Sequence, residues 1–211
     1  MDLRFYYFNF PFWRAEPSRL ALHLGGIPFE DVRLGREEFL AMKTGGELPF
    51  GQVPALDVDG ERIAQSHGIA RFCGKLGGLY PQDDALAAMK IDELMGVAEQ
   101  MAGTLSPSMR EQDTDKKMAL RAELGATTLP HWLGLLERRL EQNGDSGFFV
   151  GSEMTMADLV IWRLLGWLVG GILDGLPTNM LDGFAGLAAH QARIGEHPKI
   201  KAWMHEHYGK A

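Results

Sequence analysis

Gln52-Val53-Pro54-Ala55-Leu56-Asp57-Val58-Asp59-Gly60-Glu61-Arg62-Ile63-Ala64-Gln65-Ser66 is the stretch that decides the fold. Ala55 to Val58 and Arg62 to Ala64 flank Asp59-Gly60, a pair suited to the two positive φ angles of a type I′ turn, so a β-hairpin is predicted. Ser66 then opens a helix through Ile69, Ala70 and Phe72 that stops at Gly77-Gly78. Pro54, just before a strand, cannot donate to a sheet and is a candidate for a cis bond. Such a bond would turn the backbone N–H and C=O of Val53 outward, as an extended edge able to pair with another peptide. At the helix start Ser66 can cap, and free N–H groups there can hold a carboxylate. Alone, Ser66 reads as a cap and nothing more. With Gln52, Val53, Pro54 and Gln65 beside it, the set reads as a site for a small anionic peptide.

Outward from this stretch, the upstream chain supplies the rest of an α/β domain. Leu3 to Phe8 carries aromatics on both faces (Phe5 and Tyr7; Tyr6 and Phe8), as in a strand covered on both sides. Arg14 to Gly25 reads as a helix, with Pro17 confined to its first turn and Gly25-Gly26 as its stop. Phe29 to Leu34 alternates as a second strand, and a short polar helix follows over Glu37 to Lys43. The order is β-α-β, an irregular helical segment, then β-β-α.

Beyond Tyr80-Pro81-Gln82-Asp83-Asp84, a linker by its turn chemistry, no strand is predicted. Leu86, Met89, Leu94, Val97, Met101 and Leu105 recur at helical spacing, and a second long helix is predicted from about Asp115 to Glu141. Thr155-Met156-Ala157-Asp158 is a capping box opening a helix that is apolar nearly all round, hence central. A last helix follows Pro198. The reading is α/β plus all-α: residues 1–78 form the first domain, 79–84 a linker, and 85–211 an all-helical domain.

Composition narrows the function. A net charge of −7 argues against a nucleic-acid backbone as partner, which would want a basic surface. The single cysteine, Cys73, excludes an internal disulfide framework and a Cys-rich zinc site, and it fits a reducing compartment. Its place in an internal helix reads as a buried structural thiol. The first residues lack the pattern of a secretory signal. The apolar stretch Leu159 to Leu173 contains Arg163 and falls short of the ~20 residues a membrane span needs. A soluble, cytoplasmic protein is expected. No Gly-x-Ser-x-Gly elbow, His-Glu-x-x-His motif or phosphate loop is present. His205 and His207, two apart on a helix, point to different sides and read as solvated rather than as metal ligands.

Pro49-Phe50-Gly51-Gln52-Val53-Pro54-Ala55-Leu56, then Gln65-Ser66-His67-Gly68-Ile69-Ala70-Arg71-Phe72, resembles the glutathione transferase superfamily, and within it the sigma class and its close relatives. So does Tyr7-Phe8-Asn9 leading to Arg14-Ala15-Glu16, while Thr155 to Asp158 is similar to the capping box of the family's second domain. The resemblance implies a thioredoxin-like first domain, a helical bundle as the second, and a homodimer in which the first domain of one chain packs on the helical domain of the other. It implies no metal or prosthetic group, with glutathione as a co-substrate. Tyr7 corresponds to the tyrosine whose hydroxyl donates to the glutathione sulfur, and Arg14 would supply a positive field. Lowering a thiol pKa of ~8.5 by about two units takes only ~2.7 kcal/mol, within reach of one charge-assisted hydrogen bond and a nearby cation.

By the same resemblance Lys43 faces the glycine carboxylate of glutathione, the Val53 backbone pairs with the cysteinyl unit, and Gln65 and Ser66 hold the γ-glutamyl end. Phe39 stands where many relatives carry a tryptophan that touches the tripeptide. Glu99 or Gln100 stands where relatives send an aspartate to the partner subunit's site. The loop Asn9-Phe10-Pro11-Phe12-Trp13 is one residue longer than the usual sigma pattern. Phe10, Phe12 and Trp13 read either as a wall of an apolar co-substrate pocket or as a lid that shields the thiolate. Met101, Met109 and Trp162 are further pocket candidates, or plain core. No Cys or Ser stands at the start of the first helix, which argues against a thiol-exchange relative. The expected activity is conjugation of glutathione to apolar electrophiles. Two alternatives remain: a glutathione-dependent isomerase using the same thiolate, and a non-catalytic structural or scaffold member of the fold.

Overall fold

The Asp59-Gly60 turn has positive φ at both residues (50° and 91°), and it joins β3 (Ala55–Val58) to β4 (Glu61–Ala64) as the hairpin the sequence predicts. β1 (Leu3–Phe8) pairs parallel with β2 (Glu30–Leu34) and antiparallel with β3, so the sheet order is β2-β1-β3-β4. Three helices complete this unit: α1 (Glu16–Leu24), α2 (Arg36–Thr44) and α3 (Ser66–Leu76). This is a thioredoxin-like domain followed by a helical one, in a computed structural model that describes residues 1–209.

Alternation along β1 divides its aromatics between two faces. Tyr6 packs with Leu34, Leu48 and Ala55, against which Phe8, Val32, Phe39, Met42 and Val53 close. Phe5 and Tyr7 are buried on the opposite face, with the Arg19 guanidinium of α1 over both rings. α1 and α3 approach so closely that a Cβ on Gly77 would stand 2.1 Å from the Ala21 carbonyl oxygen. Gly77 therefore does more than stop α3: no other residue fits there.

The chain divides into two compact units, one of Met1–Ala85 with the segment from Pro198 on, the other Leu86–His197. The helix after Pro198, assigned from sequence to the all-helical domain, thus groups with the sheet. Trp203 Nε1 donates to Glu16 Oε1 at 2.5 Å and the Tyr208 hydroxyl to Glu16 Oε2 at 2.6 Å. A contact of this kind, some 190 residues apart in sequence, leaves no local pattern to read.

The second unit is helical, with no strand among the described residues. α4 (Ala85–Arg110) runs past the predicted end near Leu105 and carries Pro107 inside it. The predicted helix from Asp115 to Glu141 is broken into α5 (Thr114–Glu123), one π-helical turn (Leu124–Thr128) and α6 (Leu129–Glu141). Pro130, with no N–H to give, stands in the first turn of α6, where the regular ladder would otherwise continue. α7 (Met156–Val169) is the apolar central helix, and α8 (Ala185–Gly195) is one the sequence reading did not include. The last helix is α9 (Pro198–Tyr208). At the start of α7, Asp158 is fully buried, and its Oδ2 accepts from Thr155 N (2.7 Å) and Oγ1 (2.9 Å), as the capping box predicts. Its Oδ1 also accepts from Phe149 N (2.9 Å) and lies 3.0 Å from His190 Nε2.

Candidate functional site

The hairpin register gathers the candidate site at one end of the sheet. Ala55 pairs with Ala64, so Val53-Pro54 and Gln65-Ser66 leave the hairpin at the same end, away from the Asp59-Gly60 turn. Tyr6 stands opposite Ala55, which brings the Tyr7 end of β1 there too. The Val53–Pro54 bond is cis, Val53 is half-buried and Gln52 exposed.

Ser66 is not the cap expected from the sequence. It is the first residue of α3, and Gln65 occupies the cap position with φ 82°, a left-handed value that non-glycine residues rarely adopt. The Gln65 side chain makes no capping hydrogen bond to α3. That end of the helix presents the positive end of its dipole, which suits an anion.

Phe39, Lys43 and Val53 are brought together around α2. Phe39 and Val53 pack on one hydrophobic cluster, and the Lys43 ammonium lies 6.0 Å from the Phe39 ring. The Lys43 stem runs along Gly51, within 3.5 Å of where a Cβ would stand. The charged end is exposed, as a site for a carboxylate requires.

Tyr7 is 4% exposed, and no chain group among the described residues hydrogen-bonds its hydroxyl. Burial pushes its pKa up, and the positive charges of Arg14 and Arg19 draw it back only in part. The phenol is thus a proton donor throughout the neutral range. Arg14 is half-buried with its guanidinium 4.4 Å over the Trp13 ring. Arg19, which the sequence reading passed over, is fully buried. Its signal was there in part: Glu16 and Arg19 are an i,i+3 charge pair on a helix face that also carries Leu20 and Leu22.

The aromatic loop forms a run of ring contacts. Phe10 is 5.7 Å from Tyr7, 6.0 Å from Phe8 in a stacked arrangement and 5.6 Å from Phe12, and Phe12 is 5.9 Å from Trp13. Phe10 is exposed, Phe12 half-buried and Trp13 buried. In the second unit, Met101 and Trp162 are buried, whereas Met109 is exposed at the last turn of α4. Glu99 is half-buried and Gln100 exposed. Cys73 is fully buried with its thiol pushed up to about 12 by burial, an inert structural group. His207 is not solvated as expected: its ring lies 3.9 Å from that of Trp203.

Comparison with known proteins identifies the family. The family model for the glutathione S-transferase N-terminal domain matches residues 3–74, and that for the C-terminal domain matches residues 100–207. Glutathione S-transferase 1 of Ascaris suum is 35% identical over 200 residues, covering 91% of this chain and 90% of that protein. Prostaglandin synthase D of Nilaparvata lugens superposes with a TM-score of 0.85 at 28% identity, covering 98% of both chains. A monomeric glutathione S-transferase of the hookworm Necator americanus gives 0.81 at 26% identity, covering 98% of this chain and 97% of that one. Through both of its domains, the chain belongs to the glutathione S-transferase family of enzymes.

Proposed function

We propose that this chain is a tyrosine-type glutathione transferase, which holds the glutathione thiolate on the Tyr7 hydroxyl and adds it to apolar electrophiles. The observation that carries the reading is a buried Tyr7 side chain, with two arginine charges acting on its phenol and no hydrogen-bond partner for its hydroxyl among the described residues. A thiolate placed against that hydroxyl accepts its hydrogen bond, and a hydrogen bond to the charged form favours ionisation. The Val53 edge pairs with the peptide backbone of glutathione, the N-terminal end of α3 with Gln65 and Ser66 takes the γ-glutamyl carboxylate, and Lys43 takes the glycine carboxylate. Glutathione is a consumed co-substrate in this scheme, and the protein works in the reducing cytoplasm. Calorimetric titration with millimolar glutathione tests the reading. Saturable heat supports it, and absence of heat removes it in favour of a scaffold role.

A second reading has one observation in its favour, the similarity to the prostaglandin synthase D of Nilaparvata lugens. An isomerase would use the same thiolate and return it at the end of each cycle. Glutathione consumption distinguishes them: loss in proportion to product marks conjugation, and constant glutathione marks isomerisation. Leu86 and Met89, both exposed on one side of α4, support a homodimer, which sedimentation tests against the monomer.

A further inference from the structure

We infer that Arg19 is a positioning residue for the thiolate, a buried cation fixed behind Tyr7 by Glu16 and Asp31, with the last helix of the chain locking that pair in place. The inference rests on the tyrosine reading above and extends it to a residue that does not touch the tripeptide in that scheme.

The geometry is a closed network within the first unit. Arg19 Nε donates to Asp31 Oδ1 at 2.8 Å, and Nη1 lies 3.4 Å from Glu16 Oε2. Both terminal nitrogens reach the Phe8 carbonyl, at 3.5 and 3.4 Å, so the guanidinium grips the backbone one residue beyond Tyr7. It lies 5.9 Å from the centre of the Tyr7 ring and 5.4 Å from that of Phe5. Glu16 is itself fully buried and is held from α9 by the Trp203 and Tyr208 donors. Asp31 Oδ2 accepts from Arg33 Nε at 2.8 Å, and Arg33 Nη1 donates to Asn9 Oδ1 at 2.6 Å, in the loop that follows Tyr7.

The groups that face Arg19 are therefore Glu16 on α1, Asp31 and Arg33 on β2, and Tyr208 on α9, with His207 against Trp203 behind them. Burial and Arg33 hold the His207 pKa below its ordinary value, so it adds no charge near neutral pH. Two cations and two anions balance, which is what lets the cluster stay buried. The charges that act on the Tyr7 phenol itself, Arg14 and Arg19, are both positive. A thiolate on that phenol sits in the field of a charge that cannot move, because Glu16 on α1, Asp31 on β2, the Phe8 carbonyl on β1 and Tyr208 on α9 hold it.

Charge variants give opposite signs, which a purely structural role would not. Glu16→Gln removes one counter-charge, keeps the acceptor for Trp203 and Tyr208, and is expected to lower the titration of enzyme-bound glutathione by a few tenths of a unit. Glu16→Gln with Arg19→Gln removes the cation without leaving that carboxylate behind. It is expected to raise the titration by about half to one unit, with the KM for glutathione little changed. Arg19→Lys keeps the charge and should stay near the parent. Thiolate absorbance against pH is the readout, with melting curves to show that each variant is folded. Superimposable titrations in folded variants overturn the inference. If the double variant does not fold, the downward shift in Glu16→Gln decides alone, and its absence overturns the inference equally. A parent enzyme whose bound thiol titrates like free glutathione overturns the tyrosine reading and this inference with it. A lowered parent titration with unshifted variants overturns this inference only.

Discussion

Tyr6 and Tyr7 are neighbours in β1, yet their hydroxyls have opposite fates. The Tyr6 hydroxyl donates to Asp57 Oδ2 at 3.0 Å, under the Arg62 guanidinium at 4.3 Å from its ring, whereas the Tyr7 hydroxyl has no partner in the chain among the described residues. The two-residue period of a strand sends the two phenols to opposite faces of the sheet.

In the proposed scheme Lys43 acts on affinity and not on the thiol. Its charge stands beside Phe39 and Gly51, on the α2 side of the sheet, while Tyr7 faces Arg19 on the other. Lys43→Ala should weaken glutathione binding about fivefold, roughly 1 kcal/mol for one exposed charge contact. The titration of the bound thiol should stay where it is. Calorimetry and thiolate absorbance on the same variant check both halves, and a raised thiol pKa would show the lysine to be misplaced.

Asp158 is the residue on which the second unit most depends. Its buried carboxylate accepts from Phe149 N, Thr155 N and Thr155 Oγ1 and meets His190. Asp158→Ala leaves the buried Phe149 amide and His190 without this partner and removes the cap of α7, and a loss of about 3–5 kcal/mol is expected. Denaturant unfolding should show it, and Asp158→Asn should fall between the two. A loss under 1 kcal/mol would mean the donors find other partners.

Local chemistry made the hairpin, the capping box, Gly25 and Gly77 as stops and the buried Cys73 legible in the sequence. Each depends on a few adjacent residues. What was not legible depends on distance. The place of α9 beside the sheet is decided by Glu16 meeting Trp203 and Tyr208. The break before α6 follows from Pro130, a local signal that the apolar periodicity overrode. Tyr7 and Lys43 were named through a family likeness, whereas Val53 and Gln65 entered from the proline beside a strand and from the helix start. Arg19 was missed because a buried arginine is identified by its carboxylate partners, and Asp31 lies on another element. Ser66 was misread as a cap because its neighbour's positive φ cannot be seen in the letters.

Acid should unpick the Tyr6 side of the sheet. Arg62 donates to both Asp57 oxygens, at 2.6 and 2.8 Å, and this together with the Tyr6 hydrogen bond holds the Asp57 carboxyl below its ordinary value. A carboxyl depressed in the folded state stabilises it at pH values above the unfolded pKa of about 3.9, and that stabilisation disappears as pH falls through the folded value. Asp57→Asn should therefore melt lower than the parent at pH ~7, with the gap closing as the solution is taken below pH ~4. An unchanged gap across that range would mean that the pair contributes nothing through ionisation.

The central claim is that the Tyr7 hydroxyl keeps bound glutathione ionised. Thiolate absorbance against pH, with glutathione saturating, tests it in the parent, Tyr7→Phe and Tyr6→Phe proteins. The account predicts a parent thiol titrating well below free glutathione, a rise of about one to two units in Tyr7→Phe, and no shift in Tyr6→Phe. The conjugation rate near neutral pH should fall roughly ten- to a hundredfold in Tyr7→Phe, about 1.5–3 kcal/mol. An unchanged titration in Tyr7→Phe, with glutathione still bound, would contradict it.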